Sequence, residues 1–443
     1  MEVLPVRVSP TQEPVVPEPA QSSPSLRAVA VELYKCNRCG FCQTRCPLYR
    51  VTGKESLVAR GHLAHLQAVL NGDLPLEGAI REPLFSCLMC RACTAECPPA
   101  IETDRVIVAA RADYVGRRQP ALQRLLFRRL LGSPRMLRAA ARTLTRLSRT
   151  RLTVFAKLLP LLPGVDRGYA EAPAMLPTPS AFLRDRLAAR PAPSCSGDRV
   201  TYFPGCGIDY ALPEVGSATL DLLGALGCAV DVPENVCCGL PPYSYGDMES
   251  ARALARRNIR LLSAGGEGPI IADCASCSSF LKDYPRLFSD DDPDRAAAQK
   301  LADRVRDASE FLAEADLRHR LQPLRAVVTY HDPCHLSRYQ KIVRQPRDLL
   351  RQIPGVEYRE LPEADWCCGS AGTYVMSHHD LSMRSLRRKM ENIRSTGAEF
   401  VATACPACIM QLRYGARRFG VQVQVVHLTE LLRRALRERE PVT

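Results

Sequence analysis

Eighteen of the twenty cysteines in this 443-residue chain fall into repeated patterns, and eight of those stand in two runs of one spacing. Cys36, Cys39, Cys42 and Cys46 are followed by Pro47. Cys87, Cys90, Cys93 and Cys97, 51 residues further on, are followed by Pro98. The run C-x2-C-x2-C-x3-C-P is the ligand signature of paired [4Fe-4S] clusters. A cubane needs four thiolates arriving from different sides, and this spacing lets one tight turn deliver three of them. The fourth must come from elsewhere, and the proline bends the chain away once it is placed.

In two-cluster ferredoxins the last cysteine of each run crosses to the other cluster. The expected division is therefore Cys36, Cys39, Cys42 and Cys97 around one cubane, with Cys87, Cys90, Cys93 and Cys46 around the second. Structural zinc also uses C-x2-C pairs, but it is satisfied by four ligands, usually as two separated pairs. Two quadruple runs ending in proline fit that poorly. A disulfide framework fits worse, because no segment resembles a secretory signal and the chain is long enough to bury cores without staples.

Ten further cysteines form a duplicated set. Cys206, Cys237, Cys238, Cys274 and Cys277 recur as Cys334, Cys367, Cys368, Cys405 and Cys408, at offsets of 128, 130, 130, 131 and 131 residues. So constant an offset marks an internal repeat. The surroundings repeat with it: Val200-Thr-Tyr-Phe-Pro-Gly-Cys206 answers Val328-Thr-Tyr-His-Asp-Pro-Cys334, and Ile270-Ile-Ala-Asp-Cys274 answers Val401-Ala-Thr-Ala-Cys405. In each half five thiols are expected to converge on one metal centre. His331 and His335 flank Cys334, but a polar histidine at a strand end is more often structural, so neither is counted as a ligand. Cys195 reads as a linker thiol and Cys228 as a small core residue.

Elements to hold these thiols can be read from periodicity. Ser56 to Leu70 and Ile101 to Val115 have helical spacing. The runs ending at Cys206, Cys274, Cys334 and Cys405 have strand character, and helical patterns follow at Glu214 to Leu226, Asp247 to Leu262, Arg347 to Ile353 and Asp380 to Ile393. Alternating strands and helices imply parallel α/β units, in which ligands bind beyond the carboxyl ends of the strands. The expected architecture is a multidomain α+β chain. It comprises a disordered leader (1–25), an α-helical two-cluster domain (26–116), a basic helical segment and linker (117–198), and two tandem α/β cysteine-rich domains (199–322 and 323–443).

The leader holds six prolines and little that could form a core. No apolar run reaches the roughly 20 residues that span a bilayer; the nearest, Leu152 to Val165, is broken by Lys157, Pro160 and Pro163. A cytoplasmic protein, soluble or peripheral on the inner face of the cell membrane, is expected. The formal charge of +13 is concentrated, since Tyr114 to Val165 contains twelve Lys or Arg and no acid. Arg135, Arg138, Arg142, Arg146 and Arg149 form one helical stripe, suited to solvent, to an acidic partner subunit or to an anionic membrane surface. Nucleic acid is not implied, because the remainder is nearly neutral and thiolate-ligated clusters are anionic. No phosphate-cradling glycine loop opens a helix, which argues against flavin or nicotinamide binding in this chain.

The C-x30-C-C-G-x34-C-x2-C and C-x32-C-C-G-x35-C-x2-C patterns resemble the CCG domains of heterodisulfide reductase subunits and of iron–sulfur subunits of glycolate, lactate and anaerobic glycerol-3-phosphate dehydrogenases. With a two-cluster domain in front, and with Cys368-Gly-Ser-Ala-Gly-Thr-Tyr374 and Lys389-Met390, the order is most similar to the glycolate oxidase iron–sulfur subunit family. The resemblance covers about residues 30 to 435. It implies two [4Fe-4S] clusters and further iron–sulfur clusters at the ten CCG cysteines. It also implies an oxidoreductase subunit that is catalytic only within a complex. A FAD-bearing partner would oxidise a 2-hydroxy acid, glycolate or lactate, and this subunit would pass the electrons to a downstream, quinone-linked acceptor. The alternative that the resemblance leaves open is disulfide cleavage at non-cubane clusters, as in heterodisulfide reductases, because all five positions are kept in both halves.

Overall fold

The computed structural model describes residues 23–148, 166–189 and 197–437. Most of the expected leader, Leu152 to Val165, Arg149 and Cys195 lie outside the described residues. From Pro24 to Arg118 the chain is helical. The helix between the cysteine runs is Ala59–Asn71, preceded by a single 3-10 turn at Glu55–Leu57, and its inner face buries Leu63, Leu66, Val69 and Leu70. It crosses helix Thr103–Arg118, which buries Val106, Ile107 and Ala110 on the same core. Asp113 of that helix accepts the Ser25 and Leu26 amides at 3.0 and 2.9 Å, which satisfies the otherwise orphaned first turn of the chain's opening helix.

Two four-stranded sheets follow. Strands β1 (Arg199–Tyr202), β2 (Ala229–Asp231), β3 (Ile270–Ala272) and β4 (Val305–Asp307) are ordered β2-β1-β3-β4 and wholly parallel. Strands β5 (Ala326–Tyr330), β6 (Val356–Tyr358), β7 (Phe400–Thr403) and β8 (Gln424–His427) repeat that order as β6-β5-β7-β8. The inner strands are short runs of β-branched and small apolar residues, buried because helices cover both faces. The crossover helices are Pro213–Ala225, Met248–Ser263, Arg344–Gln352 and His379–Ser395, each within three residues of its expected limits.

The two halves clasp each other reciprocally. Helix Pro213–Ala225 of the first packs on Leu428–Arg434 of the second, and Arg344–Gln352 of the second packs on Ala308–Ala313 of the first. Arg433 pairs with Asp221 at 2.7 Å across one contact, and one continuous apolar core runs through both halves.

The middle segment departs from expectation in two ways. Helix Pro134–Ser148 carries the arginine stripe, yet part of its charge is met by acids remote in sequence: Arg142 reaches Asp185 at 3.0 Å, and Arg128, just ahead of the helix, pairs with Glu249. Residues 170–198 are not a bare tether. Within them Leu183–Ala188 forms a helix, and Met175, Phe182 and Leu183 are buried, Met175 and Leu183 within the core of the paired sheets. Sequence distance hid both contacts, since no local pattern reports a partner 43 residues away.

Candidate metal centres

Each front cysteine run wraps a turn that contains two left-handed residues. Arg38 and Met89, at matching places between the first two cysteines, have φ of 54° and 51°. Gly40 and Arg91, between the next two, have φ of 86° and 55°. A non-glycine residue pays roughly 1–2 kcal/mol for that region, and the strain turns three sulfurs towards one point. Two cavities result. One, of about 420 Å³, is lined by Cys87, Cys90, Cys93 and Cys46; the other, of about 390 Å³, by Cys36, Cys39, Cys42 and Cys97, with Cys93 on their shared wall. Each therefore gathers three thiols of one run and the last thiol of the other.

These thiols fit a cationic cluster. Burial pushes Cys46 up to about 12 and Cys87 up to about 11, with the neighbouring thiols Cys90 and Cys87 adding to the rise at Cys46. So many thiolates would be unstable at neutral pH without positive charge between them, and coordinated iron supplies it.

In the CCG halves the glycine after each cysteine pair is required by the backbone. Gly239 and Gly369 have φ of 98° and 83°. A Cβ on Gly369 would stand 2.6 Å from the Ser382 carbonyl oxygen, and one on Gly239 at 3.3 Å from the Phe280 ring. The tight turn lets both cysteines face the carboxyl ends of the strands. Asn258 then holds the first pair by donating to the Cys237 carbonyl at 3.0 Å, while Ser385 holds the second by donating to the Cys367 carbonyl at 2.8 Å.

The ten sulfurs do not form two remote clusters of five. In the first half Cys206 meets Cys237, Cys237 meets Cys238, and Cys238 meets Cys277, which meets Cys274. In the second, Cys405 meets Cys408, whose sulfur is 3.5 Å from that of Cys368, and Cys368 meets Cys367. Cys274 and Cys405, equivalent positions of the repeat, meet each other, and beside them Ala275 N–H donates to the Ala404 carbonyl at 2.9 Å. Cys334 lies among Cys90, Cys368 and Cys405.

The front segment reaches this succession through the second half. Cys46 and Cys90 share an apolar cluster with Cys334 and Cys367. Arg338, 8% exposed, donates to the Cys90 carbonyl at 3.1 Å and to Asp365 at 2.9 Å. Tyr339 donates to the Met89 carbonyl at 2.8 Å, with the Arg91 guanidinium 4.0 Å above its ring. Hydrogen bonds to charged groups contribute about 1.5–3 kcal/mol each, so the turn that carries Cys87, Cys90 and Cys93 is fastened to the second sheet.

Comparison with known proteins agrees with this layout. Residues 32–101 match the 4Fe-4S dicluster domain, and residues 200–282 and 328–413 match the cysteine-rich domain CCG. The chain is 31% identical over 415 residues to the probable glycolate oxidase iron-sulfur subunit of Bacillus subtilis (strain 168), covering 90% of this chain and 93% of the relative. It belongs to the glycolate oxidase iron–sulfur subunit family. As a family member it is an iron–sulfur oxidoreductase subunit that carries [4Fe-4S] clusters. A fumarate reductase (CoM/CoB) subunit from Methanothermobacter marburgensis is 37% identical over 239 residues, 53% of this chain and 46% of that one. Lactate utilization protein A of Macrococcus caseolyticus is 34% identical over 236 residues, 53% of this chain and 96% of that one. Among the described residues no helix is long and apolar enough to cross a membrane.

Three features of the centres escaped sequence reasoning. Arg338 and Tyr339 sit on no apolar period and became visible only through their carbonyl partners on the front segment. Lys389 is fully buried and donates to the carbonyls of Glu363 and Ala364 at 2.5 and 3.1 Å, with its pKa lowered by burial to about 8. His331 was set aside as structural, yet it is 1% exposed, neither ring nitrogen has a hydrogen-bond partner, and it groups with the sulfurs of Cys368 and Cys408 within 4.8 Å. The signal was present in the repeat, where Phe203 stands at the matching place.

Proposed function

We propose that this chain is the electron-transfer subunit of a flavin-dependent 2-hydroxy-acid dehydrogenase acting on glycolate or lactate, taking electrons from a FAD-bearing partner and delivering them to a downstream acceptor. The observation that carries the reading is the unbroken succession of cysteine sites from the two front cavities through Cys334 and Cys405 to Cys274 and Cys206. When bound, iron–sulfur clusters supply one-electron acceptance and release. The residues proposed to hold them are Cys36, Cys39, Cys42 and Cys97; Cys87, Cys90, Cys93 and Cys46; and the ten CCG cysteines. The chain's own contribution is to fix their order, to bury most of the CCG sulfurs, and to expose Cys39 at one terminus. At the other, Cys206 lines a crevice with Leu137 of the arginine-striped helix. Relatives named for glycolate oxidase and lactate utilization support the substrate class. Purified alone, the chain is expected to oxidise neither acid, and to sustain dye reduction only with the copurifying flavoprotein. Turnover of glycolate by the isolated chain overturns the proposal.

One observation favours a second chemistry at the same place. The His335 ring nitrogen is 3.4 Å from the Cys334 sulfur on a crevice of about 420 Å³, an arrangement suited to disulfide cleavage. Cys237→Ser and Cys367→Ser would then abolish thiol–disulfide turnover while leaving the front cubane signals intact.

A further inference from the structure

The two halves differ at one place that touches their sulfurs. After the matching tyrosines Tyr202 and Tyr330, both fully buried, the first half has Phe203 and the second His331. The backbone there is the same in both: Phe203 N–H donates to the Ile271 carbonyl at 2.8 Å, and His331 N–H donates to the Ala402 carbonyl at 2.9 Å. The two side chains therefore leave equivalent points. In the first half the Phe203 ring lies near Gly205, where an added Cβ would stand 3.8 Å from that ring and 2.9 Å from the Cys277 sulfur. In the second half the imidazole groups with the sulfurs of Cys368 and Cys408, the counterparts of Cys238 and Cys277.

An imidazole this buried without a partner on either nitrogen is costly, because its desolvated polar atoms gain no hydrogen bond in return. Natural cores rarely retain such a group unless something else satisfies it. The five cysteines of the half already supply a full thiolate set. What the imidazole adds is a potential N–H donor beside the sulfurs, and hydrogen bonds to cluster sulfurs are one of the means by which a protein sets reduction potential.

We propose that His331 donates a hydrogen bond to the thiolate sulfur of Cys368 when the second-half iron–sulfur centre is assembled, and so raises that centre's reduction potential above that of the first half. The inference rests on the reading that the second CCG half carries an iron–sulfur cluster. Reduction adds negative charge to the thiolate set, and the donated proton stabilises the reduced form more than the oxidised one. The first half, with a phenyl ring at the same point, has no such donor. His331 is thus a positioning and tuning residue, not a ligand.

The test uses the full chain, anaerobically purified, as wild type, His331→Phe and His331→Gln. Iron and acid-labile sulfide are measured first, and then the paramagnetic signals are followed through a redox titration. The expected result is unchanged iron in all three, a midpoint shifted to more negative potential for one non-cubane signal in His331→Phe, and a smaller shift in His331→Gln, whose amide can donate. Iron retained with every midpoint unchanged overturns the proposal. Loss of iron from both variants also overturns it, in favour of direct ligation or a purely structural role. Wild-type protein whose iron accounts only for the two cubanes removes the premise and the tuning role together, while the electron-transfer reading survives on the front clusters.

Discussion

Positions 258 and 389 occupy one place in two copies of one fold, and they hold an asparagine and a lysine. Asn258 spans its half as a neutral clip, accepting from Val236 N–H at 3.2 Å and donating to the Cys237 carbonyl. Lys389 makes the same kind of bridge with a cation, donating to two carbonyls of the loop ahead of Cys367. Ahead of the first C-x2-C, Asp273 is buried and pushed up to about 7 by desolvation, whereas Ala404 stands in its place in the second half. The first half therefore buries a carboxyl, a phenyl ring and an amide where the second has a methyl, an imidazole and an ammonium. Duplicated cysteines fix where sulfur lies; the unduplicated residues around them decide how readily each copy accepts negative charge. A donor-rich lining favours the reduced state, and with the tuning proposed for His331 the second half would be the stronger electron acceptor.

The comparison can be broken most forcefully at the glycines. Gly369→Ala meets the Ser382 carbonyl and a left-handed φ together, and is expected to cost about 3–4 kcal/mol. Gly239→Ala, with looser contacts, should cost about half as much; equal losses in anaerobic thermal unfolding would show that the halves are packed alike. Arg338→Ala leaves the Cys90 carbonyl and Asp365 unmatched, at about 3 kcal/mol. It should weaken the signal of the cubane at Cys87, Cys90, Cys93 and Cys46 before that of the other, and a uniform loss by electron paramagnetic resonance would contradict the one-sided docking.

Lys389 makes a pH prediction. Its folded pKa, about 8, lies below the ordinary lysine value of 10.5. Between those limits the unfolded chain binds more protons, so stability rises with pH across that window and the penalty is fully present below about 8. The expected change amounts to about 3 kcal/mol in all, and Lys389→Asn, which copies the first half, should flatten it in denaturant titrations at about pH 7.5 and about pH 10. Smallest of all, Tyr339→Phe removes the hydroxyl that the Met89 carbonyl and Asp104 share, worth about 1 kcal/mol. It should slightly accelerate loss of iron to a chelator from the front segment.

The strands that end on cysteines, β1, β3, β5 and β7, were legible because an apolar run stopping at a thiol is a local pattern. Their neighbours β2, β4, β6 and β8 were not, since three or four residues such as Val305-Arg306-Asp307 carry no period of their own. The expected pairing of Cys97 with the first run and Cys46 with the second rested on the crossover of two-cluster ferredoxins, and the cavity linings are compatible with it, with Cys93 on both walls. What sequence withheld was everything that depends on docking. The meeting of Cys274 with Cys405, the grip of Arg338 on Cys90 and the neutralisation of Arg142 by Asp185 arise between segments whose separation no periodicity encodes.

The reciprocal clasp of the two halves has a consequence for the two ends of the cysteine succession. Helix against helix in both senses, with Cys274 touching its own counterpart Cys405, is the contact pattern of a two-fold symmetric dimer whose copies have been joined into one chain. A true dimer would present two identical ends and conduct equally either way. Fusion freed each copy to diverge, so that the Cys46 and Cys90 turns contact Cys334 and Cys367 of one copy while Cys206 of the other faces an arginine-bearing crevice. A symmetric pair would present one kind of end twice; the fused chain presents two different ends.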